Sequence, residues 1–123
     1  MATALEVVYE YYRVFSTLDL SAIVEYFSEP CMSIGPQGVF SARSREELAG
    51  ALGPMVESLR ARGYGRSEFA DAEMRMLGES AALVRGTAVR YSASGPVMER
   101  VPISYVVHRS GAGWLIAVMV IPG

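Results

Sequence analysis

The chain contains neither lysine nor asparagine, and its positive charge rests on 11 arginines alone. No basic run gathers them, and against 13 acidic residues they leave a net charge of -2, so the electrostatic footprint of a nucleic-acid binder is missing. An Arg-only basic complement is the mark of GC-rich codon usage and points to a bacterial source. A single cysteine, Cys31, excludes an internal disulfide. A single histidine, His108, offers no metal constellation. No apolar run approaches the roughly 18 residues of a membrane span, and the N-terminus lacks the charged-then-apolar pattern of a leader. The expectation is a soluble, cytoplasmic protein with no membrane partner. There is no Gly-x-Ser-x-Gly elbow. Gly63-Tyr64-Gly65 lacks the third glycine and following helix of a dinucleotide loop, so no cofactor is expected.

What is present is apolar. Of 123 residues 51% are hydrophobic and 20% charged, which predicts one domain over 1–123 that buries roughly two-thirds of its unfolded surface. The excess apolar content predicts a lined cavity, a dimer face or a well-filled core. From Thr3 to Leu18, Glu6, Glu10 and Arg13 recur at helical spacing opposite Leu5, Val8, Tyr12 and Phe15, the pattern of an amphipathic helix. Asp19 is placed to cap a short second helix, Leu20 to Phe27, ended by Pro30. Cys31 to Ile34 and Val39 to Ser41 predict a small hairpin about Gly35-Pro36-Gln37-Gly38. Ser44 and Glu47 form a capping-box signature for a third helix that bends at Pro54 and stops at Gly63.

The remainder reads as a meander of long strands. Ser67 to Leu77 alternates, with Ala70, Ala72, Met74 and Met76 on one face and Asp71, Glu73 and Arg75 on the other. It is followed by Ala81 to Ser92 and two further strands, with turns at Ser94-Gly95 and Gly111-Ala112-Gly113. Gly86 and Pro102, both interior to strands, predict the bends that curve the sheet. The fold class is α+β: three helices packed on a strongly curved antiparallel or mixed sheet that forms a cone.

Val8-Tyr9-Glu10-Tyr11-Tyr12-Arg13-Val14-Phe15, followed by a short Asp-capped helix and the hairpin from Ser33 to Phe40, resembles the opening of the nuclear transport factor two-like (NTF2-like) superfamily. Gly113-Trp114-Leu115-Ile116 resembles the start of the last strand in its SnoaL-like polyketide cyclases. The resemblance implies a cone that serves isomerases, cyclases, dehydratases, epoxide hydrolases and association domains alike. It also implies where a general base would stand, and the chain departs there. The position that holds an aspartate before a proline in ketosteroid isomerases matches Gly35-Pro36, and the last-strand histidines match Val118 and Val120. None of these accepts a proton.

Two catalytic candidates remain. Tyr12 resembles the helix-one tyrosine that donates to a developing oxyanion, with a packing aromatic as the alternative. Asp71, with Arg85 opposite, makes an acid-base pair if that sheet face turns inward, and a solvated face or polar dimer contact otherwise. His108 reads as a solvated strand-end residue and Cys31 as a small buried one. The expected ligand pocket draws on Tyr12, Phe27 and Met55, on Met74 and Met76, and on Tyr105, Trp114, Val118 and Val120. The methionines Met55, Met74, Met76, Met98 and Met119 supply flexible thioethers suited to an adaptable cavity or to filling an irregular core. The reading is a homodimeric binder of a small apolar molecule, metal-free, with an isomerase, cyclase or dehydratase acting by acid-base chemistry as the alternative.

Overall fold

The computed structural model describes residues 2–111 and 113–122; of the expected turn at Gly111-Ala112-Gly113, Ala112 lies outside the described residues. Helix α1 spans Ala4–Phe15 and begins on Thr3, whose hydroxyl accepts from the Glu6 N–H while the Glu6 carboxylate accepts from the Thr3 N–H. This reciprocal box satisfies donors that the first turn cannot pair. The face of α1 carrying Ala4, Val8, Tyr11, Tyr12 and Phe15 is buried. Ser16, just past its end, donates to the Tyr12 carbonyl at 2.9 Å and accepts from the Ser67 N–H at 2.9 Å. That hydroxyl ties the helix to the sheet at the height of Tyr12.

The second helix is shorter than expected. Helix α2 spans Leu20–Ile23 and tightens into a 3-10 turn, Val24–Tyr26, before strand β1, Phe27–Gly35. Asp19 holds the N-cap position, but its carboxylate accepts from the Ser21 hydroxyl at 2.8 Å rather than from the backbone. Phe27 leaves the helix because it pairs with Ile116 in the sheet, and the strand runs on through Pro30. Strand β2, Gly38–Ala42, closes the hairpin, with Gly35 opposite Gly38.

Helix α3 spans Arg45–Ala61 and continues through Pro54. The Ser44 hydroxyl accepts from the Glu47 N–H, whereas the Glu47 carboxylate reaches past the cap to the Arg43 N–H at 2.9 Å. Pro54 withdraws one donor from the ladder, which the exposed side of the helix at Gly50 accommodates.

Strands β3 (Tyr64–Met76), β4 (Ala81–Ser92), β5 (Val97–Ser110) and β6 (Gly113–Val120) complete a six-stranded sheet in the order β2-β1-β6-β5-β4-β3. β1 and β6 run parallel and every other pair antiparallel, so the sheet is mixed. Its inner face carries Ala82, Val84 and Ala88 of β4, Ile103, Tyr105 and Val107 of β5, and Trp114 and Ile116 of β6, all buried against the helices. Each large side chain so buried contributes about 1.5–3 kcal/mol, whereas the nine ion pairs, nearly all solvent-exposed, are each worth about 0–1 kcal/mol. Apolar burial therefore decides where the helices sit.

Bulges bend the sheet, and one of them lies directly opposite Gly86, whereas none lies at Pro102. Ala70 pairs with Thr87 and Glu73 with Arg85, so Asp71 and Ala72 together oppose Gly86 alone. Asp71 takes φ +53 to make that bulge. Gly86 answers it from the partner strand: a Cβ there would lie 2.7 Å from the Ala70 carbonyl oxygen and 2.9 Å from the Phe69 ring. Pro102 sits in an unbroken ladder opposite Thr87. A second bulge makes Ala117 the extra residue of β6, because Val106 pairs with Val118 but Val107 with Ile116. No helix among the described residues is long and apolar enough to cross a membrane.

Candidate functional site

Between α1, α3 and the inner face of the sheet lies a cavity of about 280 Å³. Helix α1 contributes Tyr11, Tyr12 and Phe15, and α3 contributes Leu52 and Met55. From the sheet come Ser67, Ala88 and Arg90, then Val101, Ile103 and Tyr105, and finally Met119 and Ile121. β4 presents the small Ala88 to this space, where a larger side chain would take up part of it. The space is nearly twice the roughly 150 Å³ apolar cavity that accepts a benzene ring.

The wall is aromatic and its polar groups are few. The Tyr12 ring lies 4.8 Å from that of Phe69, and the Tyr11 ring 6.1 Å from that of Tyr105. The hydroxyls of Tyr12 and Tyr105 share a buried hydrogen bond of 2.7 Å. Tyr11 is 5% exposed and its hydroxyl has no hydrogen-bond partner among the described residues. The Ser67 hydroxyl is paired with that of Tyr64. Arg90 enters from β4, donates to the Glu99 carboxylate at 3.1 Å, and holds its guanidinium 5.8 Å from the Phe15 ring.

Burial pushes the Tyr11, Tyr12 and Tyr105 phenols above their ordinary values. All three stay protonated at physiological pH, able to donate or accept a hydrogen bond but not to act as bases. Arg90 is permanently cationic. The described lining therefore holds hydrogen-bond donors and one positive charge, and no carboxylate, imidazole or thiolate able to take a proton.

Of the residues expected in a pocket, the structure brings Tyr12, Met55 and Tyr105 together on this cavity and places the others elsewhere. Phe27 is buried one layer behind, its ring 5.4 Å from that of Tyr11. Trp114 packs near Arg109 on a broad open groove with Val7 and Tyr26. Val118 and Val120 face outward and Met119 and Ile121 take their places, because the Ala117 bulge shifts the phase of β6 by one residue. The β3 bulge puts Met74 opposite Val84 and Met76 opposite Ala82, but beyond the reach of α1, and they stand 39% and 44% exposed. The same bulge separates Ala70 from Ala72 and leaves it on the face of Glu73.

Asp71 does not reach the cavity. It is exposed on the bulge, and Arg85 pairs with Glu73 instead. His108 is exposed on β5. Cys31 is buried, and burial pushes its thiol up, away from the reactive thiolate. Among the described residues no three His, Cys, Asp or Glu side chains gather as metal ligands.

Arg90 is the polar cavity residue that sequence reasoning missed, although a signal was there. It continues the inner series Ala82, Val84, Gly86, Ala88 at the same two-residue spacing, a charge on an otherwise apolar strand face. Tyr11 lies beside the Leu5, Val8, Tyr12 and Phe15 series rather than in it, yet is buried with Val8, Tyr12 and Phe15.

No curated protein matches the chain. Among solved structures, a protein of unknown function with a cystatin-like fold from Nostoc punctiforme shares 16% identity at a TM-score of 0.78, over 95% of this chain and 85% of that one. A ketosteroid isomerase-like protein from Erwinia carotovora atroseptica shares 19% identity at 0.61, over 94% and 89%. A candidate polyketide cyclase from Pseudomonas putida shares 22% at 0.60, over 98% and 90%. At such identities the likeness is one of fold. The family model described as NTF2-like protein (DUF6841) matches residues 3–123, and the chain belongs to that family.

Proposed function

We propose that the chain binds a small, mostly apolar molecule in the cavity between α1, α3 and the sheet, and does not itself move protons on it. The observation that carries this reading is the lining: apolar and aromatic on all sides, with neutral phenols and one guanidinium as its main polar groups. A few convergent polar groups in an apolar concavity is the pattern of a ligand site, and the lack of a proton acceptor argues against acid-base turnover. The alternative, an isomerase, cyclase or dehydratase, draws on the Tyr12–Tyr105 pair, which could polarise a substrate carbonyl. That reading needs a base which the described lining does not supply. We propose further that a second copy of the chain covers the outer sheet face.

Calorimetric titration of 3-phenylpropanol, 3-phenylpropionate and 3-phenylpropylamine tests the site. At least one is expected to bind the wild type, and to bind Ala88→Leu about tenfold or more weakly, since the added side chain occupies the space. Unchanged affinity in a folded Ala88→Leu protein would place binding elsewhere.

A further inference from the structure

We infer that the ligand is an amphipathic monoanion, an apolar body bearing one carboxylate, selected by Arg90; this rests on the cavity being a binding site. Arg90 is the only charged side chain among the described lining residues. Its side chain is 21% exposed, and one N–H of its five is engaged, by Glu99. No other hydrogen bond from its guanidinium to a described residue forms, and Arg90 lines the cavity.

The countercharge is insufficient. A single oxygen of Glu99 accepts from Arg90 at 3.1 Å and from Arg62 at 3.3 Å, so two guanidiniums share one carboxylate and the trio carries a net positive charge. Arg62 is half exposed, Glu99 less so and Arg90 least, so the charge runs inward from the surface to the cavity. A carboxylate at Arg90 would complete the pairing, with bidentate geometry available on the guanidinium edge. The apolar body would then lie along Phe15, Ile103 and Met119. An amine would be repelled, and an alcohol would leave the charge as it is.

The same three phenylpropyl compounds decide the matter, because they differ in the head group alone. In the wild type 3-phenylpropionate is expected to bind at least about tenfold more tightly than 3-phenylpropanol, and 3-phenylpropylamine the most weakly. Arg90→Met should bring acid and alcohol to similar affinity. Glu99→Gln removes the competing acid, so it should tighten the propionate and leave the alcohol unchanged; a purely structural Arg90 would give no such gain. Equal binding of acid and alcohol by the wild type would overturn the inference while leaving the cavity reading intact. Failure of all three to bind would overturn both. Should Arg90→Met not fold, the sign of the Glu99→Gln effect decides alone, and loosened or unchanged propionate binding overturns the proposal.

Discussion

Two phenols that share one hydrogen bond use one proton between them, so the pair formed by Tyr12 and Tyr105 keeps a second proton free for whatever stands in the cavity. Removing either hydroxyl leaves its partner without a protein neighbour, at a cost of about 1–3 kcal/mol for a buried group. Tyr12→Phe and Tyr105→Phe should each destabilise by about that amount, and the double variant by little more than either, because the second removal deletes an already orphaned group. Urea denaturation of the four proteins checks this, and strict additivity would show that the two hydroxyls do not depend on one another. Both residues were readable in the sequence, since helix periodicity and strand alternation hold without interruption where they sit. Arg90 was readable in principle. A charged side chain ordinarily belongs to solvent, but its strand phase is that of Ala88.

At the scale of elements, the three helices, the hairpin and the meander follow from spacing, caps and turn residues, and these are local properties. What spacing could not supply is the bulges. A bulge leaves composition unchanged and moves every residue beyond it to the opposite face; hence Val118 and Val120 face away from the pocket expected of them, while Met74 and Met76 miss it because they lie beyond the reach of α1. Nothing about Asp71 announces φ +53, a conformation more usual for glycine. Its partner is more legible, for an interior glycine in a strand commonly answers a bulge or a close approach. Gly86→Ala should lower stability by roughly 1–3 kcal/mol, through overpacking against Phe69 and the Ala70 carbonyl. Thermal unfolding that shows no loss would mean the two strands separate more readily than the register implies.

The whole molecule has one sheet face covered by helices and one bare. On the bare face Val118 lies opposite both Met32 and Val106, and Val120 opposite Ile34, a contiguous apolar strip with Met32 39% exposed. Apolar surface of this kind favours a partner. Light scattering on the eluted protein should give twice the 13.3 kDa of the chain, and Val118→Glu should reduce it to the monomer. A wild-type monomer would remove the dimer proposal. The fold as a whole was legible because element order survives small errors of phase. The site was legible only in part, because a cavity is defined by which way side chains point.

The extra residue of β6 has an evolutionary corollary. Ala117 works as a phase key for the last strand: as the extra residue it lets Ile116 and Met119, three apart in the chain, both look inward, where unbroken alternation from Ile116 would have turned Val118 and Val120 inward instead. Losing that one codon would remove the extra residue and straighten the strand, with Ile116, Met119 and Ile121 keeping their faces. In descendants of this gene, a gap at that position would leave the residues that line the cavity where they are, and would be tolerated more readily than most substitutions within it.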